Sequence, residues 1–141
     1  MKRTEETFIY QLVLTEKTMI NIVKENFKNH PITLEHYSTL RIVYEKPGIT
    51  QQELATFMAR DKNVIVRWLN SLENKGYLER RQSETDRRAN TLHVTPDGER
   101  IAQAYWADMT RPQDTDFTVL TPSEKKTLLA LLQKINSAQH P

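Results

Sequence analysis

The sequence contains no cysteine. That excludes disulfide frameworks, thiolate metal sites, cysteine nucleophiles and thiol-based redox sensing. Only three glycines occur in 141 residues, too few for a Gly-rich phosphate loop. No apolar run approaches the ~18–20 residues of a membrane span, so no membrane partner is expected. The start, Met1 to Glu6, is charged and no apolar stretch of the secretory type follows it, which makes the cytoplasm the expected location. The histidines His30, His36, His93 and His140 are scattered and lack a paired i,i+4 spacing. No metal site and no cofactor are therefore expected. No Ser/His/Asp set or carboxylate pair stands out either, so the chain does not read as an enzyme.

What is present is ordinary for a globular chain: 38% hydrophobic and 27% charged residues, with a net charge of +2. A chain of this length can bury a core without disulfides or metal and suits a single domain over 1–141. The distribution of charge says more than the total. Residues 60–88 carry eight basic side chains (Arg60, Lys62, Arg67, Lys75, Arg80, Arg81, Arg87 and Arg88) against five acidic ones. Residues 1–59 and 101–141 are each balanced. A local basic patch in a nearly neutral protein is the electrostatic footprint of a nucleic-acid-binding module, although a solvated face would look the same on charge alone.

Hydrophobic spacing predicts a long helix over 5–28, through Ile9, Leu12, Val13, Met19, Ile20, Val23 and Phe27. Pro31 ends it. At about 24 residues it would span about 36 Å, close to the ~34 Å between successive major grooves on one face of a duplex. Thr33 caps a second helix with Leu34, Tyr37, Leu40, Val43 and Tyr44. Thr50-Gln51-Gln52-Glu53 has the form of a capping box and opens a short helix with Leu54, Phe57 and Met58 on one side. A fourth helix is expected from about Lys62 to Lys75, with Ile65, Trp68, Leu69 and Leu72 inward and Gly76 at its C-terminal cap. The period then changes. Tyr77–Arg81 and Thr91–Thr95 read as two short strands around the polar loop Gln82–Asn90. Thr95-Pro96 starts another helix with Ile101, Ala102, Tyr105, Trp106 and Met109 as its stripe, and Pro112 should break or kink it. Thr121-Pro122-Ser123-Glu124 is a second capping box. It opens a last helix with Leu128, Leu132 and Ile135 on one seam, widened by Leu129 and Leu131.

The result is mainly α with a small antiparallel β-wing: a winged helix-turn-helix over 33–95, with amphipathic helices over 5–30 and 96–140. The landmarks Thr50-Gln51-Gln52-Glu53-Leu54-Ala55, Leu72-Glu73-Asn74-Lys75-Gly76-Tyr77-Leu78, Asp86-Arg87-Arg88 and Val94-Thr95-Pro96-Asp97-Gly98 together resemble the MarR family of winged-helix transcription regulators. The resemblance runs over about residues 5 to 140. It implies a homodimer built by the terminal helices, with winged domains on two half-sites of a pseudo-palindrome in double-stranded DNA. It also implies release by a small, often aromatic, organic effector bound between the two regions. Leu12, Leu128, Leu132 and Ile135 are then candidate dimer contacts, and Tyr37, Tyr44 and Tyr105 candidate pocket residues.

The chemistry of the central segment fits such a partner. Thr50 and Gln51, at the start of the first helix of the helix-turn-helix, are candidate DNA contacts, and the N-terminus of the next helix offers backbone N–H groups to phosphates. The exposed turns of the next helix offer Lys62, Asn63, Val64, Val66, Arg67 and Asn70. Asn63 and Asn70 have the groups for bidentate pairing with adenine, the valines for a thymine methyl, and Arg67 for guanine or phosphate. The family usually carries Ser or Thr at several of these positions, so Val64 and Val66 are departures, and core packing is the competing role for both. Arg87 and Arg88 fall near the tip of the wing, where a narrow A·T-rich minor groove attracts a guanidinium. Asp86 is expected to orient Arg88, holding its side chain extended. Occupying a promoter excludes polymerase, so a repressor is the simpler expectation. A winged-helix module that binds protein in place of DNA is the main alternative, and a small enzyme with a winged appendage a third.

Overall fold

The computed structural model describes residues 3–140. After a single 3-10 turn at Thr4–Glu6 the elements are α1 (Phe8–Phe27), α2 (Leu34–Glu45), α3 (Gln51–Met58), α4 (Lys62–Asn74), β1 (Leu78–Gln82), β2 (Asn90–Val94), α5 (Pro96–Ala104), α6 (Trp106–Thr115) and α7 (Pro122–Gln139). The chain forms two compact units, Met1–Met109 and Thr110–Pro141. No helix among the described residues is long and apolar enough to cross a membrane.

Local chemistry explains most boundaries. Thr33, Thr50, Asp61, Thr95 and Thr121 each accept a backbone N–H at a helix start. Thr121 and Glu124 form the complete reciprocal capping box. At Thr50 only half of the box forms. The Thr50 hydroxyl accepts from Glu53 N–H at 3.1 Å, but the Glu53 carboxylate takes the hydroxyl proton at 3.0 Å and not the Thr50 backbone N–H. α1 is shorter than its hydrophobic pattern suggests. Thr7 caps it, and its 20 residues span about 30 Å, not 36.

Two helix features differ from the sequence reading for tertiary reasons. The α5–α6 helix breaks at Tyr105, not at Pro112. The Tyr105 ring is stacked on His30 with 3.9 Å between centroids. Pro112 sits inside α6. It has no N–H to give the Asp108 carbonyl, and Asn26 Nδ2 donates to that carbonyl at 3.1 Å. In α3, Leu54 is fully buried but Phe57 faces outward, 58% exposed, with the Lys46 ammonium over its ring.

The core lies in the first unit. Tyr37, Leu40, Val43, Leu54, Ile65, Leu69, Leu72 and Leu92 are fully buried, with Phe27, Ile32 and Leu78 nearly so. Trp68 is only partly buried at its edge. β1 and β2 pair antiparallel from Leu78↔Val94 to Gln82↔Asn90. A short third rung joins them: Gly48 N–H donates to Leu92 O and Leu92 N–H to Ile49 O, each at 2.9 Å. Gly48 turns there at φ 87°, a backbone state that a side chain disfavours. The base of the wing is thereby attached to the segment that leads into α3. On the other side Gly98 packs directly on the wing's start. A Cβ at Gly98 would lie 1.9 Å from the Tyr77 carbonyl oxygen.

Candidate nucleic-acid interface

α3 and α4 are joined by the tight turn Ala59–Asp61, with Ala59 in the left-handed region at φ 51°. Asp61 Oδ1 accepts from Asn63 N–H at 2.8 Å and caps α4. This cap went unread in the sequence, although Asp just before an apolar-periodic run is its usual signal. The cap fixes the first turn of α4, so that Lys62, Asn63, Arg67 and Asn70 all stand on its exposed side. Val64 and Val66 are half-buried, between the two roles open to them. Thr50 and Gln51 are also half-buried at the start of α3.

The wing tip is built by side chains that satisfy its backbone. Ser83 N–H donates to Ala89 O at 3.0 Å and Ala89 N–H to Asp86 O at 3.1 Å. Ser83 Oγ accepts from the N–H of Thr85 and of Asp86. Asp86 Oδ1 accepts from the backbone N–H of Arg88 at 2.9 Å. The carboxylate thus shapes the turn that carries Arg88; the contact with the Arg88 side chain that the sequence suggests does not form among the described residues. A cleft of about 270 Å³ opens between wing and helices, lined by Thr50, Gln52, Lys62, Asp86 and Arg88 among others.

The eight cations of the basic segment divide into two groups. Arg80 pairs with Glu73 at 3.3 Å, and Arg81 pairs with Glu79. Lys75 donates to Pro31 O, and Arg60 lies over the Trp68 ring. Lys62, Arg67, Arg87 and Arg88 carry no ion pair among the described residues and are exposed. They lie on the first two turns of α4 and at the wing tip, where Asp61, Glu84 and Asp86 are also exposed. Arg80 is the residue that the sequence reading passed over. In the linear sequence Arg80 is only one charge among eight, and nothing there marks the three partners it meets.

The three tyrosines do not gather at an open pocket. Tyr37 is fully buried and donates its hydroxyl to Ala102 O at 2.6 Å. Burial is the main cause that pushes its pKa up to about 12. Tyr37 does meet Tyr105, with 6.2 Å between ring centroids, and Phe27 packs against both. Tyr44 is elsewhere, its hydroxyl accepting from Gln103 Nε2 at 2.9 Å. A cavity of about 450 Å³ lies among α1, α2, α3 and α4, with Met19, Ile20, Val23, Leu34, Met58 and Trp68 in its lining. Its rim carries Arg60 and the Lys24–Glu35 pair, 3.3 Å apart. Burial raises the Glu35 pKa, but its own backbone N–H and Lys24 outweigh that and leave it lowered. His36 next to it is lowered, by burial first and then by Lys75, and its Nδ1 is buried without a hydrogen-bond partner among the described residues.

An exposed, N-capped second helix, a two-stranded wing with a cationic tip and a buried helical base define a winged helix-turn-helix protein. Residues 32–89 match the MarR family model. A protein of Thauera aromatica, assigned to transcriptional regulation of the hcr operon, is 40% identical over 101 residues. That match takes in 70% of this chain, and the chain spans only 60% of the relative's length. The crystal structure of MarR superposes with a TM-score of 0.83 at 27% identity, covering 99% of this chain and 95% of that one. S. aureus MepR, crystallised with DNA, has the same fold, with a TM-score of 0.81 at 22% identity and coverage of 94% and 98%. The chain belongs to the MarR family of winged helix-turn-helix transcription regulators.

Proposed function

We propose that the protein is a homodimeric, sequence-specific regulator that binds a pseudo-palindromic duplex, acts as a repressor in the cytoplasm and is released by a small organic effector. One observation carries the DNA reading: of the eight cations in residues 60–88, Lys62, Arg67, Arg87 and Arg88 have no partner for the charged group among the described residues, and they lie on the first two turns of α4 or at the wing tip. In a protein of net charge +2 that concentration favours a polyanion. α4 supplies side chains to base edges, while Arg87 and Arg88 enter the flanking minor groove. The exposed apolar side chains of α1, among them Phe8 at 88%, Ile9 and Leu12, support the dimer, as do Leu128 and Ile135 of α7. In this reading residues 33–95 are the DNA-binding lobe, and 5–30 and 96–140 supply the dimer helices. The 450 Å³ cavity is the effector's place, with Arg60 at its rim to meet an acidic group.

The test is a titration against duplex from the chain's own upstream region and against a scrambled duplex, at several salt concentrations. DNA binding requires log K to fall linearly with log[salt] and the upstream duplex to bind more tightly. A flat, weak response to both would select the protein-interaction reading.

A further inference from the structure

We propose that Arg80 is a positioning residue that determines which hydrogen-bonding groups the DNA-reading face presents. The inference rests on the DNA-binding reading above. Arg80 sits on β1 with a largely buried side chain, 16% exposed. Its Nε donates to Gln51 Oε1 at 2.6 Å, its Nη2 to Asn70 Oδ1 at 2.9 Å and its Nη1 to Glu73 Oε1 at 3.3 Å. One guanidinium thus joins the wing strand to the first turn of α3 and to two residues of α4.

The chemistry of the guanidinium decides how both amides stand. It has donors only, so each amide must turn its oxygen toward Arg80. The two NH₂ groups are then left as the outward-facing polar groups of Gln51 and Asn70. Bidentate pairing with adenine needs the oxygen and the NH₂ side by side on one base edge. With one lone pair of its oxygen committed to Arg80 and the amide plane fixed by that bond, Asn70 is poorly placed for the adenine pairing expected for it. Asn63 is not tied to Arg80 and keeps both groups. Asn70 therefore reads acceptors, such as guanine O6 and N7 or thymine O4, and rejects the N4 amino group of cytosine. The NH₂ of Gln51, at the start of α3, suits a phosphate oxygen.

Arg80→Lys and Asn70→Asp separate this role from simple stabilisation. Lysine carries a compact ammonium and cannot span three acceptors in a plane. Asn70→Asp keeps an oxygen for Arg80 but replaces the outward donor with an acceptor. Each full-length protein is used to select from a duplex library with a randomised core, and the selected duplexes are titrated at several salt concentrations alongside thermal melts. The wild type should disfavour cytosine at one position of each half-site by about three- to tenfold. Asn70→Asp should melt no lower than wild type and shift that position toward cytosine. Arg80→Lys should flatten the preference there and leave the salt slope unchanged, because the Arg80 guanidinium is taken up by Gln51, Asn70 and Glu73. If Asn70→Asp is folded and selects the same bases as wild type, the proposal is overturned, whatever Arg80→Lys does. If the wild type itself selects no sequence, the DNA-binding reading falls first and takes this inference with it.

Discussion

His30 Nε2 lies 2.7 Å from Asp108 Oδ2, although the two residues are 78 apart in the chain. The imidazole also stacks on Tyr105 and meets Phe27 edge-on at 5.0 Å. One side chain thus fastens the end of α1 to the α5–α6 break. His30→Ala should lose about 1–3 kcal/mol of stability, since it removes both a hydrogen bond to a charged group and the ring packing. Asp108→Asn, which leaves the stack in place, should cost less. Urea unfolding at a fixed protein concentration measures both. Equal losses would mean that the stack contributes nothing.

Tyr37→Phe isolates one buried hydroxyl. The Ala102 carbonyl that loses it still accepts from Arg41 Nη1 at 3.2 Å. No carbonyl is orphaned, so the cost should be only about 0.5–1.5 kcal/mol. Tyr37→Ala empties a fully buried site and should cost about 3–5 kcal/mol. A Tyr37→Ala variant as stable as wild type would contradict this core role and return Tyr37 to the pocket.

The wing offers a test between two roles of Asp86. If the carboxylate oxygen serves the Arg88 backbone N–H, Asn can replace it through its carbonyl oxygen. Asp86→Asn should then bind duplex at least as tightly as wild type, having lost a negative charge on that face. Asp86→Ala should bind more weakly. Arg88→Ala should reduce the salt slope by about 2 for a dimer that loses one phosphate contact in each subunit. Equal weakening by Asp86→Asn and Asp86→Ala would mean that the negative charge matters and the turn does not.

His36 should make stability depend on pH. Its folded-state pKa is lowered, chiefly by burial and then by Lys75, so the unfolded chain binds the proton more readily. Its contribution is complete above the unfolded value of about 6.5 and is lost as pH falls toward the lowered folded value. Protonation would also bury a bare Nδ1–H that has no acceptor among the described residues. His36→Gln should make the melting temperature fall less steeply than in wild type between pH 7 and pH 5. An unchanged slope would exclude His36 as the source.

The helix starts were legible because their signals are local. Thr33, Thr50, Thr95 and Thr121 each act on residues within one turn, and Pro96 and Pro122 mark first helical positions. What escaped the sequence was set by distant partners. The break at Tyr105 accompanies a stack on His30, and Pro112 continues a helix whose missing rung is served by Asn26. The period that placed Phe57 inward could not separate the edge of an eight-residue helix from its centre. For the proposed DNA contact, residue types alone single out Lys62, Asn63, Arg67, Arg87 and Arg88, and all five are exposed. The role of Asp86 was misread because a carboxylate two residues from an arginine suggests its side chain, while the turn presents its backbone N–H.

The contact at Gly98 also limits how the molecule moves. Thr95 Oγ1 donates to Gly76 O at 2.6 Å and Thr95 N–H to Tyr77 O at 3.1 Å, and the bare Cα of Gly98 rests on the same peptide. The turn that enters the wing and the helix that leaves it share one clamp without room for a methyl group. α5 therefore acts as the handle of the wing. A displacement of α5 would carry the peptide that opens the wing with it.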